Sequence, residues 1–456
     1  MKTVWEKYKD SYKPIMDFAE GYKSFITSAK TEREQVTNSI ALAEKYGYKN
    51  LDTVKEVKAG DKVYINNRGK SLCLFVIGEK DIEEGLNILG AHVDSPRIDI
   101  KQNPLYEDNG ICLLDTHYYG GIKKYQWVAQ PMSLHGVVCL KNGQTVEVCI
   151  GEKDDDPVVG ITDLLIHLAG DQMKKPGATV VEGEDLNVTV GSIPSFEKED
   201  EKEPVKSNIL ALLKEKYGME EADFVSAELE IVPAGKARDY GLDRSMVMAY
   251  GQDDKICAYT SLMAILEIEK PERTSCCILV DKEEIGSVGN TGMASRFFED
   301  AVAELLVKAG NLSPLALRHC FRNSKMLSSD VSAGFDTNYP QVFEPKNAAY
   351  LGKGIVFNKY TGSRGKGGCN DANAEYIAEL RRCLDDNGII FQTAELGKVD
   401  VGGGGTIAYI LAGLNMDVID AGIAVLNMHS CYELSSKADI YEAYLAYKAF
   451  LKDMGK

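Results

Sequence analysis

The stretch LNILGAHVDSP, residues 86–96, decides the fold class that we predict for this chain. It begins as a short apolar run, typical of a buried strand, and it ends in polar residues. In open α/β sheets the functional groups lie beyond the carboxyl ends of the strands. The stretch therefore predicts an α/β sheet, and it makes the polar residues that follow each strand the first candidates for a functional site.

Polar clusters occupy the same kind of position at five places in the sequence. They are His92 with Asp94, the pair 253–254, the pair 283–284, Asp330 and His429. Taken singly, such a histidine is more often a hydrogen-bonded core residue and such an acid a solvated loop charge, and we interpret His117, His135 and His319 as hydrogen-bonded core histidines. Five occurrences in one α/β pattern are improbable as coincidence. Imidazole and carboxylate ligands suit two zinc ions, or cobalt or manganese, which together can activate one water.

The pattern of the chain changes between residues 96 and 234. Alternating apolar and polar stretches there predict a β-rich module, and the charged segment 196–208 predicts a solvated loop. On both sides of this region, strand-like runs alternate with amphipathic helices. We therefore predict one α/β domain, residues 1–95 and 235–456, that is interrupted by an inserted β-rich domain, residues 96–234.

Composition excludes several classes of protein. The 456 residues include 52 Lys plus Arg and 69 Asp plus Glu, a formal net charge of −17 that argues against non-specific binding to nucleic acid or anionic membranes. Eleven cysteines contain no CxxC pair, which is typical of reduced thiols rather than of a zinc ribbon. The N-terminus has no signal-peptide core, and no apolar run reaches the ~20 residues of a membrane span. We expect a cytoplasmic protein.

Two glycine-rich segments lie in the second half of the chain, VGGGGT at 401–406 and GSRGKGG at 362–368. The first lacks the strand and helix of a dinucleotide fingerprint, and the second lacks the Gly-Lys-Ser/Thr of a P-loop. Because glycine lets a backbone approach a ligand closely, we interpret both as substrate-side loops. A mobile surface loop is the alternative for the second.

The order of the motifs H-x-D, D-D, E-E-x-G-S, S-x-D and M-H-S resembles the aspartyl aminopeptidase and vacuolar aminopeptidase I family of dizinc metallo-aminopeptidases. The resemblance covers nearly the whole chain, including YYGGIKKYQWVAQPMSLHGVV at 118–138 and GGGGTIAYILA at 402–412. No single motif is specific to the family, but their order and spacing are. The resemblance implies a mixed-sheet zinc-peptidase catalytic domain with helices on both faces, interrupted by a β-rich dimerisation domain.

The resemblance also implies the ligands of two metal ions. Asp253 would bridge the ions. His92 and Asp330 would complete the coordination of one ion, and Glu284 and His429 that of the other. Zinc is the ion of the family, and cobalt or manganese suit the same donors.

Further roles follow from the same resemblance. Glu283 would be the general base that takes a proton from the water, and Asp94 would hydrogen-bond the ligand histidine and fix its tautomer. Neighbouring carboxylates on a turn point in different directions, so one can bind a metal while the other reaches the water. Gly404, Thr406 and His167 would contact the substrate.

Two positions depart from the family pattern. Asp254 stands where most members have Asn, which leaves the ligand assignment unchanged. Asp163 stands where members that prefer aspartate have an additional histidine, while His167 matches a later position. Because an acid repels acidic substrates, the sequence does not predict a strict preference for N-terminal Asp or Glu.

The leading functional hypothesis is an aminopeptidase that releases N-terminal residues from short peptides. The alternatives are a dinuclear hydrolase of another specificity, such as a deacylase or carboxypeptidase, and a catalytically silent oligomeric metal-binding protein. The resemblance implies a homodimer through the inserted domain and a closed dodecamer. Pairing across a two-fold axis would bury the open edges of a β module, whereas a monomer is the simpler alternative.

Overall fold

The structure is a computed structural model that describes residues 2–197 and 200–455. Within these residues the chain forms ten α-helices and twenty β-strands. The helices are α1 (Val4–Lys7), α2 (Lys13–Thr27), α3 (Glu32–Lys45), α4 (Pro204–Tyr217), α5 (Gln252–Leu266), α6 (Phe297–Lys308), α7 (Ala316–Asn323), α8 (Ala374–Asp386), α9 (Ala408–Ala412) and α10 (Lys437–Asp453). No helix in this described part is long and apolar enough to cross a membrane.

The strands are short, as is usual for globular domains. The first ten are β1 (Lys49–Asn50), β2 (Lys62–Asn67), β3 (Ser71–Val76), β4 (Leu86–His92), β5 (Arg97–Asp108), β6 (Ile111–Tyr119), β7 (Met132–Cys139), β8 (Thr145–Ile150), β9 (Val188–Gly191) and β10 (Ala227–Pro233). The others are β11 (Arg238–Tyr240), β12 (Met246–Ala249), β13 (Thr274–Val280), β14 (Lys325–Ser328), β15 (Ser332–Ala333), β16 (Ile355–Asn358), β17 (Phe391–Thr393), β18 (Asp417–Gly422), β19 (Ala424–Leu426) and β20 (Glu433–Ser436).

The described residues divide into two compact units, which we treat separately. The first consists of Met1–Asp94, Ala237–Met428 and Glu433–Lys456, and the second of Ser95–Lys236 with His429–Tyr432. The first unit contains a nine-stranded sheet in the order β1-β2-β3-β13-β4-β14-β18-β16-β17. Pairs such as β4 with β13 are parallel, whereas β13 with β3 and β16 with β18 are antiparallel, so the sheet is mixed.

Alternation along the strands explains why helices cover both faces of this sheet. In β3, Leu72 and Leu74 enter one core with residues of α2, α3, α5, α8 and α10. Cys73 and Phe75 enter the other core with residues of α6, α7 and α9. Strand β4 lies inside the sheet between β13 and β14, and all seven of its residues are buried. The predicted mixed α/β fold with helices on both faces is confirmed, and residue 92 ends its central strand.

A second sheet of the first unit was not predicted. It has five strands in the order β11-β12-β20-β19-β15. The chain leaves the large sheet at Gly422, at the end of β18, continues as β19 in the small sheet, and is followed there by β20. A side chain at Gly422 has no room, because its Cβ would lie 1.7 Å from the carbonyl oxygen of Asp330. This close approach puts the passage of the chain from the large sheet to the small sheet beside Asp330, a predicted metal ligand.

The second unit is built on a six-stranded sheet in the order β8-β7-β10-β5-β6-β9, in which every pair is antiparallel. The expectation of a solvated loop over residues 196–208 is wrong from Pro204 onward, because α4 begins there with the proline at its first position. Residues 198 and 199 of that segment lie outside the described residues. The unit is therefore β-rich but includes a helix of 14 residues.

Candidate active site

His92 lies at the carboxyl end of β4 and faces several carboxylates. Its Nδ1 is 3.0 Å from the backbone oxygen of Asp94 and 3.4 Å from that residue's Oδ1. Its Nε2 is 3.2 Å from Oδ1 of Asp253, 3.9 Å from Oε2 of Glu283 and 4.0 Å from Oδ1 of Asp330. Because Nδ1 is the nitrogen that meets the backbone carbonyl, it carries the proton in the neutral ring, and Nε2 is the nitrogen able to bind a cation.

Asp94 connects the end of β4 to the turn after β13. It is fully buried, and its Oδ1 and Oδ2 accept the backbone N–H groups of Glu283 and Glu284 at 3.1 and 3.2 Å. The turn begins at Lys282, whose φ of 69° reverses the chain after the strand. The Asp94 carboxylate thus lies beside His92 and also accepts hydrogen bonds from the backbone of the two glutamates.

The Asp253–Asp254 pair begins α5, directly after Gly251, which adopts φ of 70°. The peptide bond between the two aspartates is cis. Asp253 faces His92, whereas Asp254 is fully buried and its Oδ2 accepts the backbone N–H of His92 at 3.2 Å. The residue that departs from the family pattern therefore holds the backbone of a predicted ligand.

Asp330 follows β14, the neighbour of β4 on the side away from β13. Each of His92, Asp253 and Asp330 places one ligand atom within 4.8 Å of the other two. His92, Glu283 and Glu284 form a second such group. The structure thus brings together residues that are far apart in the sequence, because β4, β13 and β14 end at one edge of the sheet.

The electrostatics of this cluster favour a bound cation. Burial alone would lower the pKa of His92, but its hydrogen bonds with Asp253 and Asp94 outweigh burial and raise that pKa well above its usual range. Burial raises the pKa of Asp330 well above its usual range, and the negative charge of Asp254 adds to the effect. Ionised carboxylates are therefore costly to hold here, because one imidazole cannot balance the charge of several buried acids. A divalent cation would supply the positive charge, and the nitrogen and oxygen donors fit zinc.

His429 belongs to His429–Tyr432, the segment that is grouped with the second unit. Its Nδ1 lies 2.8 Å from the backbone oxygen of Gly121, so that this nitrogen is the donor and Nε2 carries the lone pair. A side chain at Gly121 would approach the ring, because its Cβ would lie 3.7 Å from Nδ1. The tautomer is the one that a ligand through Nε2 requires.

The residues predicted to contact substrate lie on loops. Gly404 donates its N–H to the carbonyl of Thr361 at 2.9 Å, so the two glycine-rich segments adjoin each other. Thr406 is buried, and its hydroxyl accepts the N–H of Ala408 at the start of α9. His167 lies in an exposed turn of the second unit.

Sequence reasoning missed the residues that support Asp253. Glu433, which is buried on β20, accepts the backbone N–H of Asp253 at 3.0 Å, and the side chain of Gln252 is fully buried beside it. Gln252 stands next to the D-D motif, which is the only signal for it in the sequence. Glu433 lies on β20, a strand whose pairing was not predicted, and the residues around it in the sequence do not indicate its contact with Asp253.

Comparisons with known proteins identify the family. The sequence matches the aminopeptidase I zinc metalloproteases (M18) over residues 25–451. A relative from Clostridium acetobutylicum, described as a probable M18 family aminopeptidase 1, is 60% identical over 99% of this chain and 98% of its own length. A crystal structure of an M18 family aminopeptidase from Thermotoga maritima has a TM-score of 0.95 and 44% identity over 99% of each chain. A structure titled as the S. cerevisiae mApe1 dodecamer, at 22% identity and a TM-score of 0.78 over 96% of this chain and 97% of that one, shares the fold.

The fold and the buried cluster, together with these matches, define a peptidase of a zinc metalloprotease family. The chain belongs to the aminopeptidase I (M18) family, and it is a metal-dependent aminopeptidase, a hydrolase that acts as an exopeptidase. The resemblance read from the order of the motifs is confirmed.

Proposed function

We propose that the cluster binds two divalent ions and that Asp253 is shared between them. Zinc is the metal that we expect. One ion is held by His92 and Asp330 and the other by Glu284 and His429. The observation that carries the proposal is the environment of His92, whose Nε2 has Oδ1 of Asp253 at 3.2 Å and Oδ1 of Asp330 at 4.0 Å. The assignment of His429 rests on the resemblance and on its tautomer. Cobalt or manganese would suit the same donors.

Glu283 and Asp94 have different roles in the peptide hydrolysis that we propose. When bound, two such ions would polarise the scissile carbonyl and would lower the pKa of a water so that it could lose a proton near neutral pH. Glu283 accepts that proton and passes it to the departing amine, because its side chain reaches the cluster and is still 17% exposed. Asp94 holds the backbone of Glu283 and Glu284 and the Nδ1 side of His92, which keeps Nε2 directed at an ion.

The substrates that we propose are short peptides with a free amino terminus. Gly404 and Thr406 contact them through the backbone of the glycine-rich loop, since the Thr406 hydroxyl is already used in the start of α9. His167 contributes from its exposed turn. Asp163 accepts hydrogen bonds from Leu164 and Gln172, both at 2.8 Å, and adds a negative charge four residues from His167. We therefore propose that an acidic N-terminal residue is not strictly required.

The activity is tested with one peptide in three forms, namely unmodified, N-acetylated and C-amidated. With added zinc we expect the unmodified and amidated forms to lose residues one by one from the amino end, and the acetylated form to remain intact. Mass spectrometry of the products reads out the order of release. Cleavage of the acetylated form would indicate a deacylase or an endopeptidase, and cleavage from the other end a carboxypeptidase.

We propose that the protein forms a homo-oligomer, up to a dodecamer, through the inserted domain, residues 96–234. Support comes from an apolar run in the second unit, in which Leu164, Leu165, Ile166 and Leu168 are all exposed. Adjacent aliphatic side chains at the surface are typical of a protein contact rather than of a solvated loop. The dodecamer is stated for the distant S. cerevisiae structure and is carried over here as a proposal.

Replacing Ile166 by glutamate is expected to break this assembly, because it puts a charge into a buried apolar contact. Light scattering should give a mass near twelve times the 50.1 kDa of one chain for the unchanged protein and a smaller mass for Ile166→Glu. Leu212→Glu is the matched control, since Leu212 is also exposed in the second unit but lies on α4, outside the run. An active protein with the mass of a single chain would contradict the proposal.

We also propose that the protein acts in the cytoplasm. None of the eleven cysteines forms a disulfide, and seven of the eight buried ones lie in strands or helices. A chain with this many reduced cysteines suits a reducing compartment.

A further inference from the structure

Gln252 makes as many hydrogen bonds as a side-chain amide can make. Its Nε2 donates to the carbonyl oxygens of Val247 at 3.2 Å and of Glu433 at 2.7 Å. Its Oε1 accepts from the hydroxyls of Tyr22 at 3.2 Å and of Ser435 at 2.5 Å. An amide offers two donor hydrogens and two acceptor positions, so all four are used. The side chain is fully buried, and each of these bonds would be costly to leave unmade.

The partners of Gln252 come from three different elements. Tyr22 lies on α2, Val247 on β12 and Ser435 on β20. Strands β12 and β20 are neighbours in the five-stranded sheet, in which Val247 is paired with Ser435. The amide therefore links the first residue of α5 to the paired residues Val247 and Ser435 and to α2. Contacts with three elements fix the position of Gln252.

Asp253, the next residue, is not held by regular helical backbone geometry. Asp253 has φ/ψ of −76°/109° and Asp254 has −113°/20°, so neither has helical backbone angles. The regular hydrogen bonds of α5 therefore do not set the direction of Asp253. Its backbone N–H is instead accepted by a carboxylate oxygen of Glu433 at 3.0 Å. Side-chain contacts therefore hold the backbone that leads into Asp253, at the side chain of Gln252 and at the N–H of Asp253 itself.

We propose that Gln252 is a positioning residue that aims Asp253 at the metal centre, with Glu433 as its partner. The inference rests on the proposed function, because it takes Asp253 to be the shared ligand. Replacement of Gln252 would remove no ligand atom. It would, however, make the position of Asp253, the one ligand that serves both ions, less well fixed. Loss of such a supporting contact typically weakens metal binding by about 10- to 100-fold.

The test compares Gln252→Met with Gln35→Met. Gln35 is also fully buried in the first unit, but its side-chain amide has no hydrogen-bond partner among the described residues. Zinc affinity is measured by competition with a chelator, and kcat and KM are measured at saturating and limiting zinc. We expect zinc binding about 10-fold or more weaker in Gln252→Met and within about twofold of the unchanged protein in Gln35→Met. At limiting zinc kcat should fall, while KM for the peptide stays constant.

A second variant covers the case in which Gln252→Met does not fold. Ser435→Ala removes one hydroxyl from Oε1 and keeps the glutamine, and we expect it to weaken zinc binding beyond the range of Gln35→Met. Asp253→Asn serves as the reference for the proposed function. If Asp253→Asn keeps both ions, the shared-ligand assignment fails. If Asp253→Asn loses ions while both other variants bind zinc like Gln35→Met, only the positioning role is overturned.

Discussion

Glu283→Gln is expected to keep the fold and both ions and to lower kcat by at least ~100-fold, the usual scale for losing a general base. Glutamine has nearly the same shape as glutamate, and Asp94 bonds the backbone N–H of residue 283 rather than its side chain, so the turn is preserved. The amide cannot take a proton from the water. Steady-state kinetics on an unmodified peptide, together with metal content by mass spectrometry, checks both parts of the expectation.

Glu84→Gln is the matched control for this experiment. Glu84 lies in a similar short turn, Ile82–Glu84, but this turn precedes β4, whereas the cluster follows the strand. Its side chain is exposed, so we expect kcat to stay within about twofold of the unchanged protein. A Glu283→Gln variant that retained most of its activity would show that another group takes the proton.

The second large effect is expected at the shared ligand. Asp253→Asn should lower the occupancy of both metal sites, because a bridging carboxylate serves two ions and a neutral amide does not compensate their charge. His92→Ala should mainly empty one site, since the histidine is assigned to one ion. Counting ions per chain by mass spectrometry, after dialysis against a fixed zinc concentration, distinguishes the two outcomes.

Asp439→Asn is the control for losing a buried carboxylate. Asp439 is fully buried at the start of α10, where it accepts the N–H groups of Gly352 and Gly354, and it belongs to none of the candidate metal groups. Its variant should keep both ions. Loss of a single ion in Asp253→Asn, equal to the loss in His92→Ala, would contradict the bridging role.

The sequence predicted best the features that are local. The apolar run of β4 and the polar residues after it were enough to place His92 and Asp94 at a strand end. Because neighbouring strands end at the same edge, the acids after β13 and β14 could be expected there too. The order of the five motifs then identified the family, which the match over residues 25–451 confirms.

What the sequence did not predict depends on pairing between distant segments. Residues 421–426 are apolar without interruption, so nothing local shows that the chain changes sheets at Gly422, where a backbone contact with Asp330 leaves no room for Cβ. The proline at the start of α4 was a helix signal, but the charges around it favoured a loop. Gln252 and Glu433 act through contacts to residues about 180 positions away in the chain, as with the bond from Asp253 to Glu433.

The division into a catalytic domain and an inserted domain, and the individual site roles, stay predictions. The contacts of Asp94 illustrate why geometry was needed. From the sequence it could be paired only with the histidine two residues before it. The structure shows that it also accepts two N–H groups from the turn after β13, which joins His92, Glu283 and Glu284 in one hydrogen-bonded unit.

The central claim is that one cluster holds two ions with Asp253 between them, and anomalous X-ray scattering at the zinc edge tests it most directly. A crystal of the zinc-loaded protein should show two anomalous peaks per chain. One peak should lie next to His92 and Asp330 and the other next to Glu284 and His429, with Asp253 in contact with both. A single peak, or peaks at other side chains, would contradict the account.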